Sequence, residues 1–168
     1  VFFNPKSVAV VGASPKPKTV GNGLIRSLLK GGVFNSKTNK PFKGKIYAIN
    51  PYAKKIFNLS CYASLLAIKG PIDLAIIAVP AKIDPKVMED CVRKKVKGVI
   101  IVAAGFSELG EAGKRLEEDV LRLAKKGRIR ILGPNCLGIM RPSSSLNATF
   151  GPCMVQEGSV AFLSQSGA

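Results

Sequence analysis

Short apolar runs of strand length alternate along this chain with amphipathic segments of helix length. That alternation is the pattern of βαβ units and of a parallel sheet covered on both faces. Strands are expected at Ser7–Val11, Lys45–Ile49, Leu74–Val79, Gly98–Ala103 and Arg130–Leu132, where Val and Ile are dense. Between the first two, Leu24, Ile25, Leu28 and Leu29 share one face of a helix over Asn22–Lys30, which Gly31-Gly32 ends. A second helix should open with Asp84 as its cap and Pro85 at its first position. Val87, Met88, Cys91 and Val92 form its apolar stripe, and it ends near Val96. A third should run from about Leu109 to Lys126, with an acidic start and a basic end that suit the helix dipole. A shorter helix is expected over Ser60–Ile68, cut off by Gly70-Pro71. The elements sum to an α/β domain over residues 1–136, a five-stranded doubly wound sheet.

After Leu132 the pattern changes. Residues 137–158 are rich in Pro, Ser, Gly and Asn with little periodicity, and read as an exit loop and linker. Ser159–Leu163 then looks like a fresh buried strand, and Ser164–Ala168 like a turn feeding a helix. Residues 159–168 are therefore expected to be the truncated start of a second domain.

Composition narrows the chemistry. The chain has 168 residues, 46% of them hydrophobic, enough for one substantial core. It has no histidine, which removes Ser-His and Cys-His nucleophile pairs and mixed Cys/His zinc sites from this stretch of sequence. No catalytic and no metal-ligating residue is assigned. Cys61, Cys91, Cys136 and Cys153 are widely separated, neither a zinc pattern nor a dense disulfide framework, so a reduced, cytoplasmic setting is expected. No apolar run approaches the roughly 20 residues of a spanning helix, and Val1–Lys6 lacks the h-region of a signal peptide.

Charge is uneven. The net charge is +16, and residues 1–72 hold 12 Lys or Arg with no Asp or Glu. A field of that sign attracts phosphorylated ligands. In a doubly wound, Rossmann-like sheet such a ligand binds beyond the carboxyl ends of the strands, its phosphate on the first βα turn. That turn is Gly12 to Gly21, with Ser14, Lys16 and Thr19 inside it and a helix N-terminus behind it. The turn is not G-x-G-x-x-G, and the second strand ends in Asn50-Pro51-Tyr52-Ala53-Lys54-Lys55 rather than an acidic residue. Lysines there favour a phosphate on the ribose, as in coenzyme A or NADP, over free hydroxyls. A Walker loop is excluded by the absence of G-K-[ST].

Six short sequences add to this reading: Val-Val-Gly-Ala-Ser (10–14), Ile-Asn-Pro (49–51), Ala-Val-Pro-Ala (78–81), Ala-Gly-Phe-Ser-Glu (104–108), Gly-Pro-Asn-Cys (133–136) and Ser-Gln-Ser-Gly-Ala (164–168). In this order the set resembles the CoA-binding domain of the ADP-forming acyl-CoA synthetases, relatives of the succinyl-CoA synthetase α subunit. The resemblance implies that Gly12, Ala13, Ser14 and Gly21, with Lys16, cradle the CoA pyrophosphate, and that Asn50, Pro51 and Lys54 sit by the adenosine and its ribose phosphate. It implies that Val79, Pro80 and Ala81 line the adenine or pantetheine path, that Ala104 and Gly105 border the thiol end, and that Asn135 and Cys136 close the floor. It further implies a second, flavodoxin-like domain, a phosphorylated histidine located there and an ATP-grasp portion as partners. The chain itself would then orient CoA without catalysing a reaction.

Other readings keep parts of this. A stand-alone CoA regulator, or the regulatory half of a protein acetyltransferase, would use the same site. An NAD(P)-binding regulatory domain would share the sheet. A nucleic-acid module would explain the charge, through Arg93, Lys94, Lys95 and Lys97 with Lys125, Lys126, Arg128 and Arg130, but it has no recognisable motif and little base-stacking support.

Overall fold

All five residues of β1 (Ser7–Val11) are buried in the computed structural model, which describes residues 1–164. Burial on both faces is what a strand at the middle of a parallel sheet requires. β1 lies between β2 (Lys45–Ile49) and β5 (Leu74–Ile77), parallel to both, and β6 (Gly98–Ile101) and β7 (Arg130–Leu132) follow on the β5 side. On the other side β2 pairs in parallel with β4 (Leu59–Tyr62), which closes a hairpin with β3 (Lys55–Ile56). The sheet order is thus β3-β4-β2-β1-β5-β6-β7. The doubly wound α/β expectation holds, with seven strands in the sheet among the described residues instead of five.

Side chains alternate between two cores, as the pleat dictates. Val8, Val10, Leu74, Ile76 and Ile100 face α1 (Val20–Lys30) through Leu24, Ile25 and Leu28. Ala9, Val11, Ala75, Ile77, Val99 and Ile101 face the other layer, where Met88 and Cys91 of α2 (Asp84–Lys94) and Val120 and Ala124 of α3 (Glu111–Gly127) are buried.

Four sequence expectations need correction. Ser60–Ile68 is not a helix: Leu59–Tyr62 is strand, because β2 offers it an unpaired edge, and only a 3-10 turn at Leu65–Ala67 is helical. Asp84 is not the cap of α2. Ile83 holds that place without a side-chain bond, and Asp84 lies inside the first turn, fully buried. The stretch 137–158 is not a bare linker, since β8 (Gly138–Arg141) and β9 (Leu146–Thr149) form an antiparallel hairpin against α1. Leu146 and Ala148 enter the α1 core, while buried Asn147 donates to the Gly31 carbonyl at 2.8 Å and accepts from the Thr149 hydroxyl at 2.6 Å. Finally, Ser159–Leu163 is not in a strand; Val160, Phe162 and Leu163 are exposed and have no ladder partner among the described residues. Beyond Ser164, the turn expected to feed a helix lies outside the described residues.

Candidate functional site

Of the six segments singled out from the sequence, the one from Ser164 on lies past the described elements, and the other five follow a parallel strand: 12–21 after β1, 50–54 after β2, 79–81 after β5, 104–105 after β6 and 135–136 after β7. Parallel strands in adjacent register bring those segments to one end of the sheet. β1 pairs with β2 on one side and β5 on the other, so the chain reverses direction across the sheet at β1, and the crevice lies above β1 and β5.

Gly12 stands at its base with φ +89°, and a Cβ there would meet the Ala78 carbonyl oxygen at 2.5 Å and Val79 Cγ1 at 3.0 Å. Only glycine fits both the conformation and the space. Gly21 meets the same bend from the helix side, where a Cβ would collide with the Gly12 carbonyl. Gly21→Ala is therefore expected to lift α1 off the turn at a cost of about 1–3 kcal/mol, read from the urea midpoint. A variant as stable as the parent would show that the two glycines need not touch.

The carbonyls of the turn are tied back by two asparagines. Asn50 Nδ2 donates to the Ala13 carbonyl at 2.8 Å, and Asn22 Nδ2 donates to the Ser14 carbonyl at 3.0 Å. Asn50 Oδ1 accepts from the amides of Tyr52 and Ala53, so the turn after β2 is locked to the turn after β1. With their carbonyls fixed inward, the amides of Ala13 and Ser14, and those of Val20 and Gly21 at the helix start, take no protein acceptor among the described residues. Such a set of backbone donors at the start of an 11-residue helix suits an oxyanion.

The hydroxyls are already occupied. Thr19 Oγ1 donates to the Lys16 carbonyl and accepts from Asn22 as the α1 cap; Ser14 Oγ accepts from the Lys16 amide. Lys16 and Lys54 are cationic and exposed, Lys16 on the loop and Lys54 past Asn50. Pro51 and Pro80 are exposed, Val79 is half-buried and Ala81 is buried at the end of β5.

Across the crevice, Asn135 donates its amide to the Ala103 carbonyl at 3.0 Å, placing the turn after β7 beside Ala104 and Gly105. Cys136 Sγ approaches the Ile101 carbonyl at 3.4 Å, and burial pushes its thiol up, so it packs as a small apolar group. Glu108 Oε1 accepts from the Gly105 amide at 2.6 Å and Oε2 from Phe106 at 3.2 Å, while Glu117 accepts from Ser107. The Gly105 amide foremost holds the Glu108 carboxyl below its usual range. The tie made by Asn22, the capping role of Thr19 and the part played by Glu117 escaped the sequence reading. A Thr three residues before an Asn at a helix start signals the cap, but nothing local signals that the Asn bonds eight residues back.

The CoA binding domain family model matches residues 6–142. Among curated proteins the chain is 46% identical, over 98% of its length, to an ADP-forming acetate–CoA ligase of Methanocaldococcus jannaschii, of which it covers 21%. It is 44% identical, over 99% of its length, to the α subunit of ADP-forming acetate–CoA ligase I of Pyrococcus furiosus, of which it covers 35%. Among solved structures it superposes with TM-score 0.88 and 41% identity on the acetyl-coenzyme A synthetase 1 of Candidatus Korarchaeum cryptofilum, solved with phosphate and ADP, covering 98% of this chain and 33% of that one. The chain thus spans about a fifth to a third of these relatives.

Proposed function

This chain belongs to the CoA binding domain family, and from that premise we propose that it holds and orients CoA for an ADP-forming acyl-CoA synthetase whose other portions carry the chemistry. One observation carries the reading: Asn22 and Asn50 fix the loop carbonyls inward, so that the amides of Ala13, Ser14 and Gly21 face a diphosphate. Gly12 lets the backbone approach it. Lys16 balances its charge, and Lys54, past Asn50-Pro51, meets the ribose phosphate. Tyr52, 96% exposed, offers an aromatic face to the adenine. Val79, Pro80 and Ala81 guide the pantetheine, and Ala104, Gly105, Asn135 and Cys136 flank the thiol.

The acid, CoA and ATP are interconverted with acyl-CoA, ADP and phosphate. A phosphorylated histidine and the nucleotide-binding portion must come from elsewhere, as the chain has no histidine. Its own contribution is to position the thiol against an acyl group activated on the other portions. Residues from 159 onward are proposed to lead into that histidine-bearing domain. The setting proposed is cytoplasmic, in keeping with four free thiols; among the described residues no helix is long and apolar enough to cross a membrane.

Calorimetry on the chain tests the reading. CoA is expected to bind at least tenfold better than dephospho-CoA or NAD, and more weakly as salt rises. Equal binding of CoA and dephospho-CoA would remove the role of Lys54, and no binding of CoA would overturn the assignment.

A further inference from the structure

We infer that the end of the sheet opposite the CoA crevice is a docking face for the backbone of double-stranded nucleic acid. In a parallel sheet all strand starts and the ends of the crossover helices fall on one edge. Here Lys45 opens β2, Lys6 precedes β1, Lys97 precedes β6 and Arg130 opens β7, all exposed. Ladder bonds set them side by side: the Lys45 amide donates to the Lys6 carbonyl at 2.9 Å, and the Arg130 amide to the Lys97 carbonyl at 3.2 Å. With strands about 4.8 Å apart, the row from β2 to β7 spans about 19 Å. It contains one carboxylate, Asp73, which Lys97 neutralises at 3.3 Å.

The helix ends extend the row. Lys125 and Lys126 close α3 on this edge. The helix dipole accounts for cations in last turns, but it gives no reason for cations at strand starts. Two clefts, of about 690 and 440 Å³, notch the same edge and are both walled by Phe42 and Lys43; the larger is bordered by Lys40 and Glu157 as well.

Two considerations select the partner. On the reading proposed above, the crevice end faces the portions that activate the acyl group, so the strand-start end faces away from them. A lysine row is also a poor protein interface, because interface cores are depleted in Lys and built on apolar anchors. A duplex supplies what the row needs, a regular array of charge at about one per 1.7 Å of axis, with no demand for base readout.

Anisotropy of a labelled random 20-base-pair duplex, titrated with this chain from 50 to 300 mM salt, tests the inference. Binding is expected with a log–log salt slope of about −4 or steeper. The triple variant Lys45→Glu, Lys126→Glu, Arg130→Glu should lose at least tenfold in affinity and flatten the slope by about 3, while still binding CoA. Should that variant fail to bind CoA, the single Lys→Gln and Arg→Gln changes replace it, each expected to flatten the slope by about 1. Saturating CoA should leave duplex binding unchanged. The inference is overturned if CoA displaces the duplex, if the face variants bind it as the parent does, or if polyglutamate or anionic vesicles compete as well as unlabelled duplex at equal charge. Because CoA binding is scored in the same samples, failure of the duplex face and failure of the CoA site are told apart.

Discussion

Phe106→Ala is expected to cost about 3–5 kcal/mol in urea unfolding and to weaken CoA binding at the same time. Phe106 is fully buried and is among the largest side chains of the core shared with α2 and α3. Its backbone does as much as its ring. The Phe106 carbonyl accepts from Leu109 at 2.8 Å, and a Cβ on Gly113 would collide with it, so α3 rests directly on this residue. The Phe106 amide is held by Glu108 together with that of Gly105. Emptying the ring's site leaves a void under the turn that brings Ala104 and Gly105 to the crevice. A loss below 1 kcal/mol, or CoA affinity equal to the parent's, would show that this turn does not depend on the core beneath it.

Stability is expected to fall as pH rises from 4 to 7, and Asp84→Asn to abolish most of that fall. Asp84 is fully buried, and neither carboxylate oxygen has a partner among the described residues. Burial pushes its pKa up to about 7. In the unfolded chain the group ionises near its ordinary value of 3.8. Between those values the unfolded state binds fewer protons than the folded one, so stability declines across that window and levels above pH 7. The gap between them corresponds to roughly 4 kcal/mol. An asparagine side chain in its place would not titrate. The variant should match the parent near pH 4 and exceed it by roughly 2–4 kcal/mol at pH 8, the smaller figure allowing for a buried amide still short of partners. A parent whose urea midpoint is flat from pH 4 to 8 would show that Asp84 finds a partner or water in solution.

The five central strands were legible because each presents a continuous apolar run to two cores, and their starts at Ser7, Lys45, Leu74, Gly98 and Arg130 stand where the sequence put them. The Ser60–Ile68 segment misled because Leu65, Leu66 and Ile68 suggest a helical stripe. The alternation of Leu59 and Cys61 is too short to outweigh it without knowing that β2 has a free edge. The β8–β9 hairpin was hidden for a different reason: Asn147 and Thr149 are polar yet buried, and only their bonds to each other and to Gly31 make burial tolerable. Composition cannot display such a reciprocal arrangement. At the crevice, element order picked out the turn after β1 with Gly12 and Gly21, and the family resemblance, not spacing, pointed to the turns after β5, β6 and β7. The side chain of Asn50 bonds the backbone of the turn after β1, which no local pattern announced, and Asn22 does the same from a position with no visible cue.

The hairpin also sets how motion reaches that turn. Asn147 grips the left-handed Gly31 that ends α1, and Pro152 and Met154 bond to Phe34, Thr38 and Asn39 just after it. A tug on the polypeptide past Met154 is felt first there, and α1, a rod of about 16 Å, passes it without slack to the amides at its other tip.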